Sequence, residues 1–283
     1  MLKERFVTAV ILAAFFLAAL FFLPLPLFSV FIAMAALIAA WEWSNMAGFG
    51  KVWQRFCYVL GMAACLWLCT RYIAAADAFM GLPEVLRTDR VKTLLLIGCG
   101  WWALSLLWVQ TYPQSAILWG SRWLRGLMGL AVLLPTWAAL TYLRSLPSGA
   151  WLILLVLAVV ALADIGGYFV GRQFGKRKLA PAVSPGKTWA GFWGGFICNA
   201  VLALVLGYNL GGDSWLLLLL VILPASLASV LGDLVESMVK RHRGIKDSSA
   251  LLPGHGGVLD RVDSMTAAAP VFALALLVSG WRL

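Results

Sequence analysis

An all-α polytopic membrane protein with about nine transmembrane helices is the fold class this sequence predicts, and three observations carry that expectation. Hydrophobic residues make up 63% of the 283-residue chain and its mean hydropathy is +0.92, more apolar surface than a soluble core of that length could cover. Several stretches run about 18 or more residues without Asp, Glu, Lys or Arg, the length a helix needs to cross roughly 30 Å of hydrocarbon. A helix also satisfies its own backbone polar groups, which lipid cannot do for it.

The spans fall near residues 6–23, 27–44, 56–76, 92–111, 124–143, 150–171, 188–208, 214–238 and 264–281. The first follows Met1-Leu2-Lys3-Glu4-Arg5 in the manner of a signal peptide. Its apolar run continues past Pro24 and Pro26 with no small-residue cleavage pattern, so it reads as an uncleaved span. Phe6 to Trp41 carries no charge and would measure roughly 54 Å as one helix, so it must form two spans that turn at Pro24 and Pro26. The spans before residue 160 are generic apolar helices whose rare charges, Glu42 and Asp77, sit near predicted ends. Beyond it, acidic, basic and glycine residues concentrate in and beside the last four spans. The chain thus reads as a single membrane-embedded domain, with residues 1–150 mainly a helical scaffold and 151–283 the catalytic helices and their loops.

The net charge of +10 belongs to loops that hold orientation rather than to a nucleic-acid surface. Nine spans divide the 22 Lys and Arg residues into 16 on the side of the N-terminus and 6 on the other. That bias places the N-terminus and the two long basic loops in the cytoplasm, where nucleoside triphosphates are found. Cys57, Cys65, Cys69, Cys99 and Cys198 lie in apolar segments with no CxxC pair, so neither a disulfide nor zinc is expected.

The densest chemistry runs from Ser237-Met238-Val239-Lys240-Arg241 through Lys246-Asp247 to Pro253-Gly254-His255-Gly256-Gly257-Val258-Leu259-Asp260-Arg261-Val262-Asp263. Asp233, Glu236, Ser237 and Lys240 share one face of the eighth span by their spacing. Asp260, Asp263 and Ser264 repeat the pattern at the start of the ninth. Carboxylates near a membrane are costly unless they meet cations. Two oxygen-rich faces joined by one loop can converge on a hard cation such as Mg²⁺, and Asp233, Asp260 and Asp263 are the candidate ligands. Simple pairing of these acids with Lys240, Arg241 and Arg261 is the alternative. Gly256 and Gly257 allow close approach to phosphate, while Lys240, Arg241, Lys246 and Arg261 supply positive charge. His255 would either order the loop or contact the nucleotide.

These residues match the signature of the phosphatidate cytidylyltransferases, or CDP-diacylglycerol synthases, over about 27 positions, and the multi-span architecture with basic loops resembles that family as a whole. A second run, Ser184-Pro185-Gly186-Lys187-Thr188-Trp189, resembles another segment of the family and makes Ser184, Lys187 and Thr188 candidates for phosphate contact. Family members commonly carry an acid or amide after this Trp, whereas Ala190 stands here, and that position is assigned no role. Gly186-Lys187-Thr188 has the ending of a P-loop, but the required earlier glycine is Pro181, so a P-loop is rejected. Lys176-Arg177-Lys178 reads equally as a basic loop attracted to anionic headgroups. The resemblance also sets Asp164, an acid within the sixth span, beside the active site. Gly167-xxx-Gly171 and Gly191-xxx-Gly195 read as helix-packing motifs.

The expected reaction joins CTP and phosphatidate to give CDP-diacylglycerol and pyrophosphate, with Asp233 and Asp260 on Mg²⁺, alone or with a second cation. The resemblance is consistent with a homodimer in a bacterial inner membrane. A CTP-dependent lipid kinase is the rival of the same class; a transporter is disfavoured because paired interrupted helices in matching halves are missing from the pattern.

Overall fold

The structure is a computed structural model that describes residues 2–77, 83–211, 214–252, 254 and 256–280. Its long helices are α1 (Leu2–Phe22), α2 (Leu25–Ala47), α3 (Val52–Ile73), α4 (Thr88–Gln110), α6 (Arg122–Ser145), α7 (Gly149–Phe174), α8 (Trp189–Leu210), α9 (Ser214–Arg243) and α10 (Leu259–Ser279), with a single turn α5 (Ala116–Trp119) between α4 and α6. Eight of the described helices are long and apolar enough to cross a membrane; the apolar part of α1, Val7–Phe22, is shorter. Large apolar side chains such as Ile97, Leu107, Phe169 and Ile197 face outward, as they do where lipid is the solvent. The protein is an integral membrane protein.

Proline and capping chemistry set the helix ends. The break between α1 and α2 falls at Leu23–Pro24, and Pro26 lies inside the first turn of α2, where the missing N–H costs nothing. Arg144 closes the other side of that break by donating to the carbonyl oxygens of Leu20 at 3.1 Å and Leu23 at 2.9 Å. The longest helix is α9, with 30 residues, roughly 45 Å and well beyond the hydrocarbon thickness. Its last turn, Lys240 to Arg243, therefore stands in the polar zone, and the span expected to stop at 238 continues for one more turn.

Two packing motifs position the site. Gly171 on α7 and Gly191 on α8 approach so closely that a Cβ on either would lie within 3.3 Å of the other's Cα, the contact expected of small-xxx-small sequences. Buried Asn199 then ties α8 to its neighbours, donating to Val159 O of α7 at 3.0 Å and Ser226 Oγ of α9 at 2.9 Å. The most extensive helix pairing is that of α9 with α10, and Gly232 of α9 meets the backbone of Asp263 and Ser264 there.

Two small hairpins interrupt the helical pattern. Strands β1 (Ala74–Asp77) and β2 (Pro83–Leu86) join α3 to α4, and β3 (Lys178–Ala180) pairs antiparallel with β4 (Ser184–Thr188) between α7 and α8. The second pair makes a two-stranded ribbon, with Lys178 opposite Thr188, of the segment whose sequence reads as a basic loop.

Candidate active site

The loop from α9 to α10 folds back onto Asp260. Its Oδ2 accepts the N–H of Gly257 at 2.8 Å, the N–H of Ser248 at 2.9 Å and the hydroxyl of Ser248 at 2.9 Å, while Oδ1 receives Lys240 Nζ at 2.7 Å. Lys240 reaches Glu236 Oε1 at 3.0 Å as well, so one ammonium bridges an acid of α9 and an acid of α10. It is buried between them, at 8% exposure, where a cation persists only with partners of this kind. Gly256 has φ +79 and a Cβ there would lie 2.9 Å from Asp260 Oδ2; a side chain on Gly257 would collide with Ser248 Oγ and Glu42 Oε1. These two glycines give the loop its close approach to carboxylates of the protein itself.

Glu42, in sequence no more than a charge near the end of a predicted span, belongs to this site. It is 1% exposed, and its carboxylate accepts Ser249 Oγ at 2.6 Å and the backbone N–H groups of Val258 at 2.9 Å and Leu259 at 2.7 Å. It caps α10 from a distant helix, with its charge on the positive end of the helix dipole. Asn45, one turn on, donates to Ser248 O at 3.1 Å and accepts Arg55 Nη2 at 2.9 Å. The half of the chain expected to be scaffold thus shapes the site through α2. The signal was present: an acid ending the long uncharged run is costly at membrane depth unless it is used.

A second cluster joins the β3–β4 hairpin to α9. Lys187 Nζ lies 2.6 Å from Asp233 Oδ2, and Ser237 Oγ donates to Asp233 Oδ1 at 3.1 Å. The hairpin is tethered again where Arg241 Nε donates to Val183 O at 3.3 Å. Lys187 forms part of the wall of a cavity of about 440 Å³ between α7, α8 and α9, to which Asp164 and Arg172 add charge and Phe192, Phe196 and Leu227 add apolar surface. Asp164 stands exposed on this cavity rather than enclosed in the bundle.

The remaining predicted residues divide by task. Thr188 also borders the cavity, but its Oγ1 accepts Gly191 N at 3.1 Å as the N-cap of α8. Ser184 sits at the start of β4 opposite Ala180. Lys246 and Arg261 are exposed, and His255 lies outside the described residues.

The three candidate metal ligands differ in the partners they already have. Both oxygens of Asp260 are engaged by Lys240, Ser248 and Gly257. Among the described residues Asp263 accepts only its neighbour's amide, Ser264 N, at 2.6 Å, and lies within electrostatic range of Asp233, Lys240 and Lys187. Among the described residues no three His, Cys, Asp or Glu side chains form a ready-made metal cluster. Both oxygens of Asp233 also have partners, Lys187 and Ser237, so with Asp263 it would suit Mg²⁺ by exchanging one of these contacts, Mg²⁺ binding through one or two carboxylates plus substrate phosphates rather than in an all-protein cage.

Fold and site together define an integral membrane protein whose carboxylates, cations and glycine loop gather at one end of α7–α10. The chain belongs to the cytidylyltransferase family, whose profile matches residues 3–279. It is 44% identical over 284 residues to the phosphatidate cytidylyltransferase of Pseudomonas aeruginosa, covering 99% of each chain. The phosphatidate cytidylyltransferase of Haemophilus influenzae is 41% identical over 289 residues, 96% of this chain and 98% of the other. That of Staphylococcus haemolyticus is 36% identical over 230 residues, 71% and 86% of the two chains.

Proposed function

We propose that the protein is a phosphatidate cytidylyltransferase, a nucleotidyltransferase that moves the cytidylyl group of CTP onto phosphatidate and releases pyrophosphate. The observation that carries this reading is the 2.6 Å contact of Lys187 with Asp233. It brings the SPGKT hairpin, the acidic face of α9 and a cavity with apolar walls into one place. A lipid phosphate and a nucleotide phosphate can meet only where charge and apolar surface adjoin in this way.

The chemistry requires no general base. The phosphate monoester of phosphatidate has a second pKa of about 6, so its oxygen is already ionised near neutral pH. That oxygen forms a bond to the α-phosphorus of CTP, the bond from this phosphorus to the bridging oxygen breaks, and pyrophosphate leaves with the electron pair. The barrier is repulsion between two anions, which positioned cations reduce. In this reading Lys187 and Arg172 receive the lipid phosphate at the cavity, while the α9–α10 loop, shaped by Asp260 and Glu42, holds the nucleotide. Mg²⁺, held by Asp233 and Asp263, would neutralise charge on the triphosphate.

The bias of 16 basic residues against 6 supports a site on the cytoplasmic side of a bacterial inner membrane. A homodimer belongs to the same reading, with the outward apolar residues of α1, among them Ile11 and Phe15, available to a second copy as well as to lipid.

Purified protein incubated with phosphatidate, Mg²⁺ and CTP labelled at the α-phosphorus tests the reaction. Label should enter a lipid-soluble cytidine product. Transfer of label only from the γ-position, leaving CDP in water, would assign a lipid kinase instead.

A further inference from the structure

A second cavity of about 250 Å³ lies beside the first, between α4, the β3–β4 hairpin and α9. The two share Leu179, Phe192, Leu227 and Val230 in their walls, so these four side chains form a ridge with a groove on each side. The grooves differ in character. The larger carries Asp164, Arg172 and Lys187; the smaller is walled by residues such as Leu106, Val109, Ala180 and Leu231, with no ionised side chain and only Gln110, Tyr112 and Trp189 bringing polar side-chain atoms.

We infer that the smaller groove is the seat of one acyl chain of the lipid substrate, and that the ridge parts its two chains. This rests on the reading of that substrate as phosphatidate. A phosphate held at Lys187 and Arg172 brings the glycerol next to the ridge, and chains leaving adjacent glycerol carbons must pass on either side of it. One follows Phe192, Phe196 and Leu227 in the larger cavity; the other lies against Leu106 and Ala180. A chain gains little hydrophobic free energy by moving from bilayer to groove, because both surroundings are apolar. What the groove contributes is orientation: two seated chains fix the glycerol, and with it the direction in which the phosphate points.

Filling the groove from opposite walls tests this. Ala180→Trp acts from the hairpin and Leu106→Trp from α4, and neither residue belongs to the charged machinery. With dioleoyl phosphatidate in mixed micelles, KM should rise about tenfold in both variants, with kcat within about twofold of the unaltered protein. Monooleoyl lysophosphatidate, which needs only one groove, should keep its KM within about twofold. An equal change for both lipids, or none for either, overturns the assignment. An independent measurement uses phosphatidate with a diazirine in mid-chain, irradiated on the unaltered protein. Label should appear both on the α4 segment containing Leu106 and Val109 and on the α8 segment containing Phe196; label on α8 alone overturns the two-groove arrangement. Should the unaltered protein cytidylylate neither lipid, the reading of function falls, whereas a failure confined to the variants or to the label removes only the groove.

Discussion

The carboxylate of Glu42 accepts the backbone N–H of Leu259 at 2.7 Å, across 217 residues of chain. This contact decides where α10 begins, because the first amides of a helix have no partner of their own. It therefore also decides where Asp260 and Asp263, one residue and four residues further along the first turns, present their oxygens.

Replacing Glu42 by Ala leaves the amides of Val258 and Leu259 and the hydroxyl of Ser249 without their acceptor. Each unsatisfied buried group costs on the order of 1–3 kcal/mol. Thermal unfolding in detergent should show a lowered midpoint, and cytidylyl transfer should be lost. Glu42→Gln keeps one acceptor oxygen and should fall between. An unchanged midpoint in the Ala variant would show that the cap is dispensable.

Lys187→Met and Asp233→Asn each remove one side of the 2.6 Å contact. Both groups are accessible from the polar side of the bundle, so the folded state should persist while kcat drops about 100-fold or more. Gel filtration in detergent measures the first, and label transferred from CTP to lipid the second. Activity within about twofold in both variants would remove the pair from the reaction.

Asp260 and Asp263 should separate under Mg²⁺ titration. Asp263→Asn should raise the Mg²⁺ concentration for half-maximal activity by about tenfold or more. Asp260→Asn weakens the hold on Lys240, Ser248 and Gly257 and should lower turnover, with the Mg²⁺ midpoint shifting by less than about twofold. The reverse pattern would return Asp260 to the metal and make Asp263 structural.

Thr188→Val removes the N-cap of α8 and should cost about 1 kcal/mol of stability. The KM values for CTP and phosphatidate should stay as they were, and Thr188→Ser should restore the cap. A raised KM with unaltered stability would instead give the hydroxyl a phosphate to bind.

Much of this was legible in the residues because the relevant physics is local. Uncharged runs of membrane length located each long helix to within several residues, and the signature from Ser237 to Asp263 located the chemistry. The glycine pairs announced close packing of α7 on α8, and the structure shows it at Gly171 and Gly191. What the motifs alone do not show is the set of partners each residue meets once the chain is folded. Thr188, a candidate for phosphate contact, also accepts Gly191 N through its Oγ1 as the N-cap of α8, which leaves its hydroxyl proton to donate. Gly256 and Gly257 read as a close approach for phosphate, and the structure adds that Asp260, Ser248 and Glu42 of the protein itself lie against them.

By itself the sequence determined that lipid is the solvent, where about nine apolar spans lie, and which end of them carries the charge. Each of these follows from composition or from spacing along one chain. Only the tertiary structure decided that Lys240 bridges Glu236 to Asp260, that Lys187 reaches Asp233, and that Glu42 starts α10. Near or within a membrane a charge must find a counter-charge or a hydrogen-bonding partner; the chain announces that demand, and the packing of helices far apart in sequence chooses which groups meet it.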